Sequence, residues 1–167
     1  MNSAAEPTTS EDPRRDVDRW LGNYSEDHRN VTNIVIHWIC VPAILWCVIA
    51  MLWTIPVPAW LGRPGFWSAL GMFFALAFYL RLSRPLGLAM LALFAAMGIS
   101  IELLYRAIGP LPLLWIAISI FVVAWIAQFI GHRIEGKRPS FLTDLAYLLI
   151  GPTWLVAKLL RRSGIAY

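Results

Sequence analysis

The chain has 167 residues, enough for one domain, and it is 59% hydrophobic and only 14% charged, with a formal net charge of +4 and a mean hydropathy of +0.63. A soluble body of this size has too much surface to hide so much apolar side chain, so the composition points to a membrane protein. Its few cations form no basic patch interleaved with aromatics, which argues for lipid head groups and against nucleic acid as the partner.

Residues 1–13 read as a disordered tail, and the first 30 residues are polar and charged, without the apolar stretch of a cleavable signal peptide. Val17, Trp20, Leu21 and Tyr24 then recur at i, i+3, i+4 and i+7, the pattern of an amphipathic helix expected on the membrane surface, and His28 extends that stripe by one turn. Residues 34–53, "IVIHWICVPAILWCVIAMLW", have the length of a bilayer crossing. Pro42 is expected to bend this span or unwind its early turns. Cys40 and Cys47 lie about 10 Å apart on such a helix, too far for a disulfide, and read as free thiols.

Residues 66–80 are short for a span but are flanked by Trp67 and Arg81; residues 86–104 and 111–130 are the third and fourth candidates. Glu102, near the end of the third, has Arg106 four residues on, the spacing of a helical ion pair. Breaks fall where proline and glycine collect, in "TIPVPAWLGRPG", "RLSRP" and "RAIGPLP". Residues 141–157 are interrupted by Asp144 and Gly151–Pro152. A surface-lying or re-entrant hairpin is expected there, because it keeps Lys158, Arg161 and Arg162 beside the other cations; a fifth span is the alternative. The expected fold is therefore all-α, a polytopic membrane helical bundle. It has about four transmembrane helices, an N-terminal amphipathic helix and a C-terminal interfacial or re-entrant helical segment. One domain covers 14–162, with a short tail over 163–167.

Four spans divide the cations unequally. One side receives twelve: Arg14, Arg15, Arg19, Arg29, Arg81, Arg84, Arg133, Lys137, Arg138, Lys158, Arg161 and Arg162; the other receives Arg63 and Arg106. By the positive-inside rule both termini are cytoplasmic. His28, His37 and His132, the only histidines, then share the cytoplasmic face, although about a hundred residues separate the first two from the third. The basic C-terminus, without a retrieval signal, leans toward a bacterial inner membrane over the endoplasmic reticulum.

Gln128, His132 and Glu135 lie at i, i+4 and i+7, one stripe of a helix. Imidazole and carboxylate suit iron, zinc or manganese, and Gln128 is placed to orient a ligand through a hydrogen bond. Asn33 and His37 share a face of the first span. His28 and His37, nine apart, fall on opposite sides of one continuous helix, so both join one site only if the helix breaks between them. Asn30, Thr32 and Asn33 are capable caps for that break. A lone histidine at a membrane face is ordinarily just a polar side chain at head-group level; three at one face, with a carboxylate one turn from the last, make a candidate site. Asp144 suits the positive end of a helix capped by Ser140. Arg133, Lys137 and Arg138 are ordinarily topology determinants, though guanidinium also clamps carboxylates.

The stretch "HRNVTNIVIHWICVP", residues 28–42, resembles the His-x4-Asn-x3-His-x4-Pro signature of the 2-hydroxy fatty acid dioxygenase family, with His28, Asn33, His37 and Pro42 at its positions. "QFIGHRIEGKRPS", residues 128–140, resembles the second signature through Gln128, Phe129, Gly131, His132, Glu135 and Pro139, and "DLAYLLIGP", residues 144–152, is similar to the family's tail. Many members have glycine before the first proline, where this chain has Val41. The resemblance covers roughly 24–160. It implies an Fe(II)-dependent reaction in which a 2-hydroxy fatty acid and O2 give the acid one carbon shorter, CO2 and water, the fatty acid α-oxidation step of phytosphingosine breakdown. It further implies His28, His37 and His132 as metal ligands and catalytic residues, with Glu135 either a fourth ligand or a support that fixes the His132 tautomer. Asn33, Gln128 and Asp144 would support the ligands from behind, and Arg29, Arg133 or Arg138 would neutralise the substrate carboxylate. A 2-hydroxy acid chelates iron through its hydroxyl and carboxylate while its tail lies in hydrocarbon.

Two alternatives use the same features. A haem-binding electron carrier would take two of the histidines as axial ligands. A non-enzymatic lipid-binding or transport protein would need none of them, though no inverted repeat is visible.

Overall fold

The computed structural model describes residues 15–142 and 146–167; the expected N-terminal tail over 1–13 and the role assigned to Asp144 lie outside them. The described residues form six α-helices and no strand: α1 (Asp16–Glu26), α2 (Val31–Trp53), α3 (Phe66–Leu82), α4 (Arg84–Ile108), α5 (Pro110–Glu135) and α6 (Tyr147–Arg162), with a 3-10 turn at Ser140–Leu142 before α6. The all-helical fold expected from the apolar runs is the one observed.

Three helices, α2, α4 and α5, are long and apolar enough to cross a membrane, while α3, with 17 residues, is shorter. Large apolar side chains stand exposed along the three, among them Ile39 at 68%, Ile99 at 64% and Val123 at 66%. In water these would be an unsatisfied surface; facing lipid tails they cost nothing. The helices outrun the apolar runs that predict them. α5 continues five residues beyond 130 and so carries His132 and Glu135 within a regular helix. It ends at Gly136, whose φ of 76° is the left-handed conformation that stops a helix cheaply only with glycine.

Two clusters hold the bundle together. One gathers Cys47, Ile49, Tyr79, Met90, Phe94, Ile101 and Leu113 from α2, α3, α4 and α5. The other gathers Val17, Leu21 and Tyr24 of α1 with Ile150, Trp154 and Leu155 of α6, together with Val41 and Leu86. The apolar stripe of α1 is therefore buried against α6 instead of lying on lipid: the stripe demands a partner surface, and α6 supplies one. α6 runs unbroken through Gly151–Pro152, where an interruption is expected from sequence. Proline pushes its preceding residue out of the helical region partly through that residue's Cβ, which Gly151 lacks. Pro42 likewise sits inside a continuous α2. Several tryptophans tie helices together through their indole N–H: Trp46 donates to Ser100 Oγ at 3.0 Å, Trp53 to Glu102 Oε2 at 3.2 Å and Trp154 to Ser25 Oγ at 2.8 Å. Glu102 also accepts from Arg106 Nε at 2.6 Å, the i,i+4 pair expected from the spacing.

Candidate metal centre

The chain breaks between α1 and α2, and the break is what lets His28 and His37 meet. Asn30 caps α2, its side-chain oxygen accepting from the backbone N–H of Thr32 at 2.9 Å and of Asn33 at 3.4 Å. The backbone N–H groups just outside that cap are taken by a residue from the far end of the chain. Glu135 Oε1 accepts from Arg29 N at 2.9 Å, Glu135 Oε2 from Asn30 N at 2.9 Å, and Oε2 also accepts from Asn33 Nδ2 at 3.0 Å. A glutamate commonly does this within its own helix, reaching back to the N-cap N–H; here the carboxylate comes from α5, against the positive end of α2. One turn before it on α5 stands His132. A second clamp lies beside the first: Asp27 accepts from Lys137 Nζ and from Ser140 Oγ, each at 3.0 Å, and Lys137 also donates to the Glu26 carbonyl at 2.9 Å.

These ties converge on the histidines. His28, His37 and His132 are 3%, 1% and 6% exposed, and they form a group in which one ligand atom of each lies within 4.8 Å of the others. Ring centroids are 4.3 Å apart for His28–His37, 5.1 Å for His28–His132 and 5.0 Å for His37–His132. Glu135 is not in the group; its oxygens face the backbone at the helix break.

The hydrogen bonds fix the tautomers of two rings. His28 Nδ1 lies 2.6 Å from the Tyr24 carbonyl and His37 Nδ1 lies 2.9 Å from the Asn33 carbonyl. A carbonyl only accepts, so each Nδ1 carries the proton and each neutral ring turns a bare lone pair outward at Nε2. Those two Nε2 atoms face one another at 3.0 Å. A proton shared between them would make an imidazolium, and burial drives the His28 pKa below its ordinary value, overriding the carbonyl bond that raises it. Two facing lone pairs repel unless a cation lies between or beside them. Two nitrogens, each about 2.1 Å from one ion and at right angles around it, lie about 3.0 Å apart. His132 adds a buried Nδ1 with no hydrogen-bond partner. The donor set thus fits a divalent metal, with the His28 and His37 imidazoles each oriented from behind by a backbone carbonyl.

Beside the histidines opens a cavity of about 300 Å³ between α2, α5 and α6. His37, His132, Gln128 and Tyr24 line one part of it, and Val41, Ile44, Val48, Phe121 and Phe129 line apolar walls. Tyr24 stacks on His28 with centroids 4.1 Å apart and meets Trp154 edge-on at 5.3 Å. Arg29, Arg133 and Arg138 are exposed, and none of them lines the cavity. Asn33 is fully buried beside the group.

The model of a family described as 2-hydroxy-palmitic acid dioxygenase Mpo1-like matches residues 14–163. The chain belongs to the Mpo1-like family. It is 27% identical over 152 residues to the 2-hydroxy-palmitic acid dioxygenase MPO1 of Saccharomyces cerevisiae, a match covering 89% of this chain and 82% of that protein. No solved structure matches.

Three parts of this Mpo1-like site escape a reading of the sequence. Tyr24 reads there only as a member of an apolar stripe, yet its ring packs on His28 and lines the cavity. The Asp27–Lys137–Ser140 clamp joins residues more than a hundred apart, and nothing local announces it. Gly131 sits in the second signature without an evident role. A Cβ there would stand 2.4 Å from Asn33 Oδ1 and 3.3 Å from Ile36 Cδ1, so glycine is what lets α5 approach α2 at the level of the site. Gly131→Ala should force Asn33 away from Glu135. The expected cost is about 1–3 kcal/mol of stability, together with lower metal occupancy in the purified protein. Thermal melting and metal quantification check both.

Proposed function

We propose that this protein is a non-haem Fe(II) dioxygenase of membrane lipids that converts a 2-hydroxy fatty acid and O2 into the fatty acid one carbon shorter, CO2 and water. The observation that carries the reading is the pair of Nε2 lone pairs of His28 and His37 facing each other at 3.0 Å with His132 beside them. Family membership and the name of the yeast relative, a 2-hydroxy-palmitic acid dioxygenase, support the reaction class. His28, His37 and His132 would hold the metal. A bound Fe(II) supplies open coordination positions for a 2-hydroxy acid and O2.

The remaining roles belong to the chain. The carbonyls of Tyr24 and Asn33 keep the proton of His28 and His37 on Nδ1, so that Nε2 stays a lone pair at the site. Glu135 and Asn33 lock the α1–α2 break to α5, which holds the distance between His28 and the other two rings. The cavity accepts the acyl tail: from His37 to Val48 its α2 wall runs about 16 Å at 1.5 Å per residue. Its apolar lining keeps water from the reacting end. Arg29, Arg133 and Arg138, exposed around this end, draw anionic head groups toward it through the positive field they create.

The protein sits in the membrane as a multi-pass bundle with both termini cytoplasmic. Cations support this by clustering at the histidine end: Lys137 binds the end of α1, Lys158 lies over the Trp154 ring at 3.5 Å and Arg162 over Trp38 at 5.6 Å. The haem alternative meets a steric objection, since three rings packed edge to face at 4.3–5.1 Å leave no slot for a porphyrin plane.

The test uses the full chain, purified without oxygen in detergent and loaded with Fe(II). With 2-hydroxypalmitate and O2, mass spectrometry should find the acid one carbon shorter, with CO2 released in proportion to O2 consumed. An iron-loaded protein that consumes no O2 with this substrate would refute the reading.

A further inference from the structure

Among the described residues, no lysine or arginine stands in the wall of the cavity beside the histidines. The polar side chains that line it are those of Tyr24, Gln128, Ser140 and Tyr147 besides the histidines. Ser140 has its hydroxyl directed to Asp27 Oδ2 at 3.0 Å. Tyr24 and Gln128 are different. Both line the cavity and both are only 6% exposed. The Oε1 of Gln128 is buried with no hydrogen-bond partner. Tyr24 Oη forms no hydrogen bond among the described residues, and Gly151 keeps space open beside it, since a Cβ there would lie 3.2 Å from that oxygen. Buried polar atoms are ordinarily satisfied, and phenylalanine would stack on His28 as well as tyrosine does. The Gln128 oxygen, buried without a partner in the same cavity wall as Tyr24, lacks a structural explanation.

We infer that Tyr24 and Gln128 recognise the head of the 2-hydroxy acid, the Tyr24 hydroxyl donating to its carboxylate and the Gln128 carbonyl accepting from its 2-hydroxyl. The inference rests on the reaction proposed above and adds to it the origin of selectivity for a hydroxylated acid. A site built to bond a hydroxyl rejects the analogue that lacks one, because its own polar atom is then left unpaired. Both residues are positioning residues for the substrate: the carbonyl of Tyr24 orients His28, a backbone contact that Tyr24→Phe keeps, and neither side chain is hydrogen-bonded to a candidate ligand.

The experiment measures anaerobic binding of 2-hydroxypalmitate and of palmitate to the metal-loaded full chain in detergent, in wild type, Tyr24→Phe and Gln128→Leu. Wild type should prefer the 2-hydroxy acid. Gln128→Leu should lose that preference by about tenfold or more, and Tyr24→Phe should weaken both acids by about tenfold or more. Both variants should keep wild-type metal content and melting temperature. If Gln128→Leu does not fold, Gln128→Met, closer in shape, takes its place. Unchanged binding of both acids would overturn the inference, as would loss of metal together with loss of binding, which would make the pair structural. Failure of the wild type to shorten 2-hydroxypalmitate would defeat the proposed reaction, while the binding comparison would still decide this pair.

Discussion

Replacing His37 with alanine should abolish both metal retention and turnover, while leaving a folded helical protein. His37 is the middle of the site: its ring packs on both other histidines, and its Nε2 is the one that faces His28 at 3.0 Å. Without it two imidazoles remain, and two ligands do not hold a divalent ion against water at the affinity three give. The fold depends on it far less, because neither of the two apolar clusters that carry it counts His37 among its members and the Nδ1 bond to the Asn33 carbonyl stays within α2. Loss of a buried polar ring in fact removes a desolvation cost. Metal content near zero, turnover at background and a circular dichroism spectrum like that of wild type are the expected results. Full iron retention in His37→Ala would show that the ion, if bound, is held elsewhere.

Glu135→Ala should have the second largest effect, through geometry and not through a lost ligand. The carboxylate holds two backbone N–H groups at the α1–α2 break and the Asn33 amide. Bonds to a charged acceptor are the stronger kind, and removing it frees the break to open. His28 is carried on that break, one residue before Arg29, so its lone pair would lose its fixed place opposite His37. Partners of this kind ordinarily change metal affinity by about 10–100-fold, and that is the expected loss. Glu135→Gln separates the two accounts. Its amide oxygen still accepts from backbone N–H groups, so part of the affinity should return. A directly ligating carboxylate would give no such rescue, and titration of both variants with Fe(II) reads the difference.

Much of the fold was legible from apolar runs bounded by proline and glycine, because a helix that crosses lipid must satisfy its backbone internally and be greasy throughout. What a helix packs against is less legible. The stripe Val17, Trp20, Leu21, Tyr24 announces a buried face but not its partner, which is α6 and not a lipid surface. The continuity of α6 through Gly151–Pro152 was hidden because the two residues usually mark breaks. At the site, the spacing of His28 and His37 required a break between them, and Asn30 indeed caps the helix there. The stripe Gln128, His132, Glu135 was visible, but not that its carboxylate faces backbone N–H groups, since backbone partners leave no mark on the sequence. The cavity, and the place of Tyr24 within it, depend on α1, α2, α5 and α6 at once and leave no local pattern in the sequence.

Three imidazoles distant in sequence are proposed to hold one metal ion. X-ray absorption at the iron edge of the full chain, purified anaerobically in detergent and loaded with one equivalent of Fe(II), tests it most directly. Imidazole rings give a distinctive outer-shell scattering, and about three per iron are expected, falling in His37→Ala and preserved in Tyr24→Phe. An iron shell of oxygen alone, or a spectrum unchanged by His37→Ala, would contradict the proposal.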